Sequence, residues 1–305
     1  LCSPMADIDQ PIRRAATDDL RPMAVRRSVP QHVVEIFRYR ELLWSLTRKE
    51  LTVRYKHSAL GFLWSMVQPL FLLVVYTAVF AILGAGFPRF AIWVLCGLLV
   101  WTFAATAMLT GTTSITANGP LVGKVKFPRA ILPLATVGSS LMHFMLQSIA
   151  FALVLVVTRH QVDWTYMWLL PIALAVAVLV VSGLVLLLAP LNVLARDTMH
   201  LLELLVLGWF WMTPILYQYE RAVPFLERHG LPGEILLVNP FTSIVITFQR
   251  AIYGKSEVEG ILLLPDEGPL WYLTALLITG AVAVIILAIA LKVFDRVDAN
   301  LAEAL

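Results

Sequence analysis

Six long apolar stretches limit what this chain can fold into more than any other feature of its sequence. Each is close to the roughly 20 helical residues that cross a hydrocarbon core of about 30 Å. None shows the alternation of a barrel strand, so each is predicted to be a helix. The predicted spans are residues 62–83, 90–110, 131–158, 166–189, 199–216 and 270–291.

Composition and charge support an all-α integral membrane protein with six transmembrane helices. The chain is 59% hydrophobic and 14% charged, whereas a soluble domain carries about 25% charged residues. Of its 23 lysines and arginines, 17 lie on the side of the two termini and 6 on the other side. The positive-inside rule therefore predicts that both termini are cytoplasmic and that residues 217–269 form an external loop.

Four regions are predicted along the chain. Residues 1–30 form a polar, disordered tail without the pattern of a signal peptide, and residues 31–60 form an amphipathic helix. The transmembrane domain covers 61–292, and 293–305 is a cytoplasmic tail. Within the external loop, the apolar stretch 234–254 is too interrupted by polar residues to span. Partial insertion into the outer leaflet and a surface helix of a small cap both remain open.

The stretch before the first span has the pattern of a helix lying at the cytoplasmic membrane surface. Polar and basic side chains follow one arc at 100° per residue, and apolar ones follow the opposite arc. An ordinary basic anchor beside a membrane helix shows the same pattern, so both interpretations stay open. The candidate interface residues are Arg38, Trp44, Arg48, Lys49 and Arg54.

Several chemical classes find no support in the sequence. There is no GxxxxGK[ST] phosphate loop, HExxH, GxSxG or metal-spaced cluster, so no catalytic or metal site is expected. Cys2 and Cys96 supply no disulfide framework, and a net charge of +3 does not indicate nucleic-acid binding. A proton- or sodium-driven carrier usually needs a buried relay of several ionisable residues. The two isolated residues His143 and Glu203 are too few for such a relay.

Aromatic residues crowd the predicted external end of the fifth span. They fit the ordinary aromatic belt of a membrane interface, and they also fit a surface on which sugar rings stack. Both interpretations are open on the sequence alone. The candidate substrate-channel residues are Trp209, Phe210, Trp211, Tyr217 and Tyr219.

Four segments in order resemble one family, the ABC-2-type permeases that export lipid-linked polysaccharides such as O-antigen, teichoic acid and galactan. They are LTRKELTVRYKHSALGFLWSMVQPL, NGPLVGKVKFPRAILPL, LARDTMHLLELLVLGWFWMTPILY and VNPFTSIVITFQRAIYG. The resemblance implies six helices per subunit, a homodimer, two copies of a separate phosphate-loop ATPase that binds ATP and Mg²⁺, and no cofactor in this chain. It also implies a location in the bacterial cytoplasmic membrane and external gate helices between the last two spans.

The resemblance further implies a coupling element that docks on the ATPase, and it favours stacking over the belt. For Arg196 and Asp197, a local ion pair that closes a turn is an equally good interpretation. Alternatives are a drug or lipid permease, and an integral-membrane glycosyltransferase or prenyl-phosphate enzyme. The candidate coupling residues are Lys124, Lys126, Phe127, Pro128, Arg129, Arg196 and Asp197.

Overall fold

A computed structural model of the chain describes residues 29–55, 64–82, 89–124, 127–254, 257–258 and 260–304. The helices are α1 (Val29–Arg38), α2 (Arg40–Tyr55), α3 (Trp64–Ile82), α4 (Phe90–Thr112), α5 (Ser114–Ala117), α6 (Gly119–Lys124), α7 (Ile131–Val157), α8 (Trp164–Met167), α9 (Leu169–Leu194), α10 (Asp197–Met212), α11 (Tyr219–Arg228), the 3-10 helix Gly233–Val238, α12 (Pro240–Tyr253) and α13 (Pro269–Ala304). One antiparallel hairpin pairs β1 (Glu257–Val258) with β2 (Ile261–Leu262). Residues 1–28 of the predicted tail 1–30 lie outside the described residues, and residues 29 and 30 belong to α1.

Within the part of the chain that the structure describes, four helical segments are long and apolar enough to cross a membrane. They are Phe90–Thr112, Ile131–Val157, Trp164–Leu194 and Pro269–Arg296, with 23, 27, 31 and 28 residues. Each exceeds the roughly 20 residues that a bilayer core requires. The prediction of an all-helical membrane protein is confirmed, and four of the six predicted spans have the required length.

The first and fifth predicted spans correspond to shorter helices. Helix α3 has 19 described residues, and the residues on both sides of it lie outside the described set. Helix α10 has 16 residues, which give a length of about 24 Å. Helix α10 stops where Thr213 turns extended, with φ −98° and ψ 133°. Thr213 precedes Pro214, and proline disfavours helical geometry in the residue before it. Whether α3 and α10 cross the membrane stays a prediction.

Helix α9 lies at the centre, packed against α4, α7, α12 and α13. Large apolar side chains from these helices fill the interior, including Trp93, Leu169, Phe241, Ile244 and Tyr272. Since lipid tails are as apolar as these side chains, close packing and internal hydrogen bonds hold such a bundle together.

A second apolar cluster closes the end of the molecule where α1 and α2 lie. We call this end the base. Its buried residues come from α2, α5 and α6, from the start of α7 and from the ends of α9 and α13. They include Leu46, Ile115, Val122, Ile131, Leu186, Ala290 and Phe294. At the base, α13 continues through the predicted cytoplasmic tail to Ala304.

Candidate functional site

The five predicted channel aromatics do not share one surface. Phe210 is buried and Trp209 is half-buried, whereas Trp211 is 56% exposed. Tyr217 is half-buried and Tyr219 is buried at the start of α11. Burial, followed by the nearby Glu220 and Glu234, raises the pKa of Tyr219 to about 12. The phenol of Tyr219 therefore stays protonated at physiological pH.

Phe210 belongs to an internal aromatic group that joins three helices to α10. Its ring stacks with Tyr76 of α3 at 6.0 Å between centroids and lies 5.9 Å from Trp101 of α4. Trp101 and Trp209 both meet Phe241 of α12 edge to face, at 5.6 and 5.1 Å. Phe210 and Trp209 are thus packing residues, and Trp211 is the member of the set whose indole faces outward.

Asn239 fixes the start of α12 to the end of α10. Its side-chain oxygen accepts hydrogen bonds from the Phe241 backbone N–H at 3.0 Å and from the Trp209 indole N–H at 2.8 Å. Its amide donates to the Thr213 hydroxyl at 2.9 Å. One residue therefore caps a helix and also uses the polar atom of Trp209. That indole N–H is already bonded and does not face a ligand.

The elbow, residues 213–217, is the non-helical link between α10 and α11. The side-chain amide of Gln249, which is fully buried on α12, donates to the carbonyls of Pro214 at 3.1 Å and Ile215 at 3.4 Å. A Cβ on Gly97 of α4 would lie 2.8 Å from Ile215 Cγ2. The elbow is therefore seated between α4 and α12 at a place where only glycine fits without displacement.

The stretch 234–254 forms the 3-10 helix and α12, and α12 is not a surface helix. Twelve of its 14 residues are buried, and its length of about 21 Å is too short to span a bilayer. The cap interpretation is therefore wrong. Helix α12 packs against α4, α9 and α13, and Ser243 shares a hydrogen bond of 2.8 Å with Thr279 of α13.

The other end of α12 is held by a paired arginine. Arg250 Nη1 donates to Asp163 Oδ2 at 2.9 Å and to the Gly254 carbonyl at 3.0 Å. The guanidinium lies 4.1 Å from the ring centroid of Tyr166. Tyr166 in turn donates to the Glu267 carbonyl at 2.7 Å. The positive charge of Arg250 is therefore compensated within the protein. We call Arg250, Asp163 and Tyr166 the Arg250 group, which links α12 to α8 and to the segment that leads into α13.

Helix α10 presents a broad outward side. Only Leu202, Val206 and Phe210, spaced by four residues, are buried. The opposite side is exposed and mostly apolar, and its large members are Leu201, Leu204, Leu205, Leu207, Trp211 and Met212. Glu203 lies on this side with His200 at 3.9 Å, so this carboxylate has an imidazole beside it. A carboxylate on a membrane helix is expected to face a cavity or a partner.

Of the predicted coupling residues, Phe127, Pro128 and Arg129 form the half-buried turn that leads into α7. Phe127 packs against the base cluster. Arg196 and Asp197 are exposed at the start of α10, and no ion pair joins these two described side chains. Lys126 lies outside the described residues, as does the side chain of Lys124 at the end of α6.

The predicted interface residues are mostly outward. Arg38, Trp44, Arg48 and Lys49 are exposed, while the side chain of Arg54 is outside the described set. Lys49 nevertheless has a protein partner, because its ammonium donates to Asn118 Oδ1 at 3.1 Å.

Sequence reasoning treated Asn239, Gln249 and Arg250 as interruptions and did not identify their roles. A signal for one of them was present, since Asn followed by Pro is a pattern of a helix N-cap and first helical residue. Apart from the Gly254 carbonyl, which is four residues from Arg250, the hydrogen-bond partners of Gln249 and Arg250 are 34 to 87 residues away in sequence, and no local pattern indicates them.

Comparison with known proteins identifies the family. The sequence model of the ABC-2 type transporter family matches residues 41–253, from α2 to the end of α12. The chain is 31% identical over 274 residues to the O-antigen export system permease protein RfbA of Myxococcus xanthus, covering 90% of this chain and 98% of the relative. It is 27% identical over 266 residues to the O-antigen export system permease protein RfbA of Klebsiella pneumoniae, covering 87% and 95%. The chain therefore belongs to the ABC-2 type transporter family, and it is a multi-pass protein of the bacterial cytoplasmic membrane.

Proposed function

We propose that the chain is the membrane permease of an ABC exporter that moves a lipid-linked polysaccharide outward across the cytoplasmic membrane. The substrate class is an O-antigen or galactan-type glycan on a polyprenyl pyrophosphate carrier. The observation that carries this proposal is the similarity to O-antigen export permeases, which extends over almost their whole length.

In the proposed assembly, two copies of the chain enclose the path and two copies of a separate phosphate-loop ATPase bind ATP and Mg²⁺. Helix α3 crosses the membrane first, and α10 with the elbow forms the fifth crossing. The base is cytoplasmic, because it holds the N-terminal helices that the positive-inside rule assigns to that side. The hairpin, α11 and the Arg250 group then lie on the external side.

The outward side of α10 is the proposed lining of the glycan path. Trp211 is its exposed aromatic, and an indole ring stacks on the apolar face of a sugar without requiring a fixed set of hydrogen bonds. Stacking tolerates changes of register, so a chain can slide past it. The carboxylate of Glu203 on the same side also favours an aqueous path over lipid.

The turn Phe127–Arg129 is the proposed ATPase dock, and α12 with the elbow is the proposed external gate. Helix α12 is suited to a gate because it does not span, is enclosed by protein and contacts the end of α10 directly. A drug or lipid permease is less well supported, since the relatives described above are all polysaccharide export permeases. An integral-membrane glycosyltransferase or prenyl-phosphate enzyme would need a cluster of carboxylates at the membrane edge. The external loop offers Asp266 and Glu267, and both are exposed to solvent, so this alternative is not favoured.

The first test asks for the energy source. The tagged chain is purified in mild detergent, and we expect a phosphate-loop ATPase to co-purify at a one-to-one ratio. A chain that exports glycan without any such partner would refute the assembly.

Phe127→Asp tests the dock in the same assay, after its yield and elution profile are compared with those of the unmodified chain. We expect it to lose ATPase binding and export while α4 to α13 stay folded.

The second test asks about the path. Trp211→Leu removes the exposed indole, and we expect surface glycan to fall at least several-fold at equal permease abundance. Met212→Leu is the matched control, because Met212 is 66% exposed beside it and the change keeps volume and polarity. Trp209→Leu is not equivalent, since it also breaks the bond to Asn239. Normal export of long glycan by Trp211→Leu would remove the stacking role.

A further inference from the structure

A mostly buried pair of polar side chains links α1 to the C-terminal helix α13. His32 Nε2 donates to Asp295 Oδ2 at 2.6 Å, and the two side chains are 7% and 19% exposed. The pair joins residues 263 positions apart. The large apolar residues Val34 and Phe37 of α1 are each 68% exposed. Among the described side chains of α1, His32 is buried.

Helix α2 is seated on the start of α7. Leu46 is buried in the base cluster, and the hydroxyl of Thr47 donates to the Ala135 carbonyl at 3.4 Å. A Cβ on Gly138 would lie 2.9 Å from Thr47 Oγ1. The two helices approach this closely because position 138 has no side chain. Such tight packing makes sliding of α2 along α7 costly.

A third contact connects α2 to the loop between α4 and α7. We call residues 113–130 the base loop. Asn118 accepts from Lys49 and donates its own amide to the Ser114 carbonyl at 2.9 Å. The base loop also contains Phe127 and Arg129, the proposed ATPase dock. The N-terminal helices thus contact the base loop at Asn118, α7 and the base end of α13.

We infer that His32, Lys49 and their partners Asp295 and Asn118 are positioning residues that transmit movement of the base loop to α13. The inference rests on the proposed function, because the base loop moves only if an ATPase docks there. Because α2 is seated tightly on α7, a displacement of the base loop acts on α2 through Lys49 by tilting it and not by sliding it. Helix α1 carries this movement to Asp295. Helix α13 continues from there to the external side, where Tyr272 donates to Pro265 and Thr279 contacts α12.

This route differs from the direct one through the packed helices α7 and α9. A coupling route needs an observable that responds at one end when the other is perturbed. Stability alone is not sufficient, since any contact in the base contributes to it. The required readout is a nucleotide-dependent change at the base end of α13 that is lost when a tie is cut.

The test uses the full chain with its co-purified ATPase in detergent, with and without ATP plus orthovanadate. Amide hydrogen exchange is measured in segments 113–124 and 292–304. In the unmodified complex we expect the nucleotide to change exchange in both segments. In Lys49→Ala and in His32→Leu we expect the change at 113–124 to remain and the change at 292–304 to fall by at least half.

Two further variants separate positioning from general loss of structure. Asp295→Asn keeps an acceptor for His32 and is expected to retain the response at 292–304. Lys292→Ala is the matched control for Lys49→Ala, because it removes an exposed lysine without cutting either tie. Lys49 is itself exposed, so its truncation leaves a folded protein even if His32→Leu does not fold.

The outcomes discriminate between the two proposals. A full response at 292–304 in Lys49→Ala, or an equal loss in Lys292→Ala, overturns the positioning role and leaves the proposed function standing. An unmodified complex that responds at 113–124 but not at 292–304 also overturns it. If no ATPase co-purifies, or if the nucleotide changes neither segment, the proposed function fails and the inference fails with it.

Discussion

Asn239 offers the most direct test of how α12 is held to α10. Its side chain caps α12 and also accepts the indole N–H of Trp209. Losing an N-cap of this type costs about 1 kcal/mol. Losing the acceptor of a partly buried donor costs about 1 kcal/mol or more. We therefore expect Asn239→Ala to lower the free energy of unfolding by about 2 kcal/mol.

Thermal unfolding in detergent at a fixed scan rate measures this loss. A change of about 2 kcal/mol corresponds to a fall in Tm of about 3 °C, because 305 residues at about 2.1 cal/mol/K each give an unfolding entropy of about 0.6 kcal/mol/K. Asn239→Asp keeps both acceptor bonds and loses the donation to Thr213. The Tm of Asn239→Asp is expected to lie between the Tm of the unmodified chain and that of Asn239→Ala.

A double-mutant cycle with Trp209→Phe then isolates the bond between the two side chains. Because each single change removes the same hydrogen bond, the double variant should be about 1 kcal/mol less destabilised than the sum of the singles. Trp211→Phe is the control, since the exposed Trp211 should combine additively with Asn239→Ala. Additivity within about 0.3 kcal/mol for Trp209→Phe would show that the bond does not contribute, and would refute the reasoning.

Three further outcomes are expected. In a cycle of Arg250→Ala with Asp163→Ala, the coupling should be about 1–2 kcal/mol by thermal unfolding, because this pair is mostly buried; additive losses would contradict the pairing. Gly97→Ala should cost about 1–3 kcal/mol through crowding of the elbow, whereas Gly208→Ala, with open space around it, should be neutral or stabilising; equal effects would refute the close approach. Because the pKa of Tyr219 is raised to about 12 from an unfolded value of about 10, the unfolded state loses its proton first, so stability falls as pH rises from 10 to 12. Tyr219→Phe should reduce this loss, and an unchanged alkaline profile would contradict it.

The four long spans could be predicted from the sequence because length and apolar continuity are local properties. The end of α10 was less predictable. The apolar pattern continues through 213–216, so the predicted fifth span ran to residue 216. The structure ends the helix at Met212, because Thr213 precedes a proline. Pro214 is the local signal of this break in the sequence.

The contact partners of the aromatic residues 209–211 could not be predicted from the neighbouring sequence. Trp209, Phe210 and Trp211 are neighbours in sequence, and one aromatic cluster was predicted. At about 100° per residue, a helix directs three consecutive side chains to different sides. Phe210 therefore faces Trp101 and Tyr76, Trp209 faces Asn239, and Trp211 faces outward. Helical geometry allows this separation to be predicted, whereas the identity of each facing partner requires the fold.

The polar residues of α12 show why an interrupted apolar stretch need not lie on a surface. The elbow is non-helical, so its carbonyls lack the partners that a helix supplies, and within a membrane domain such groups must be satisfied by the protein. Gln249 supplies the donor for the carbonyls of Pro214 and Ile215, and the Asn239 amide donates to the side-chain hydroxyl of Thr213. The break in α10 and the polar residues of α12 are therefore two halves of one arrangement. A proline break in one apolar segment, together with buried amides in a later short segment, predicts a non-spanning helix that is enclosed by protein.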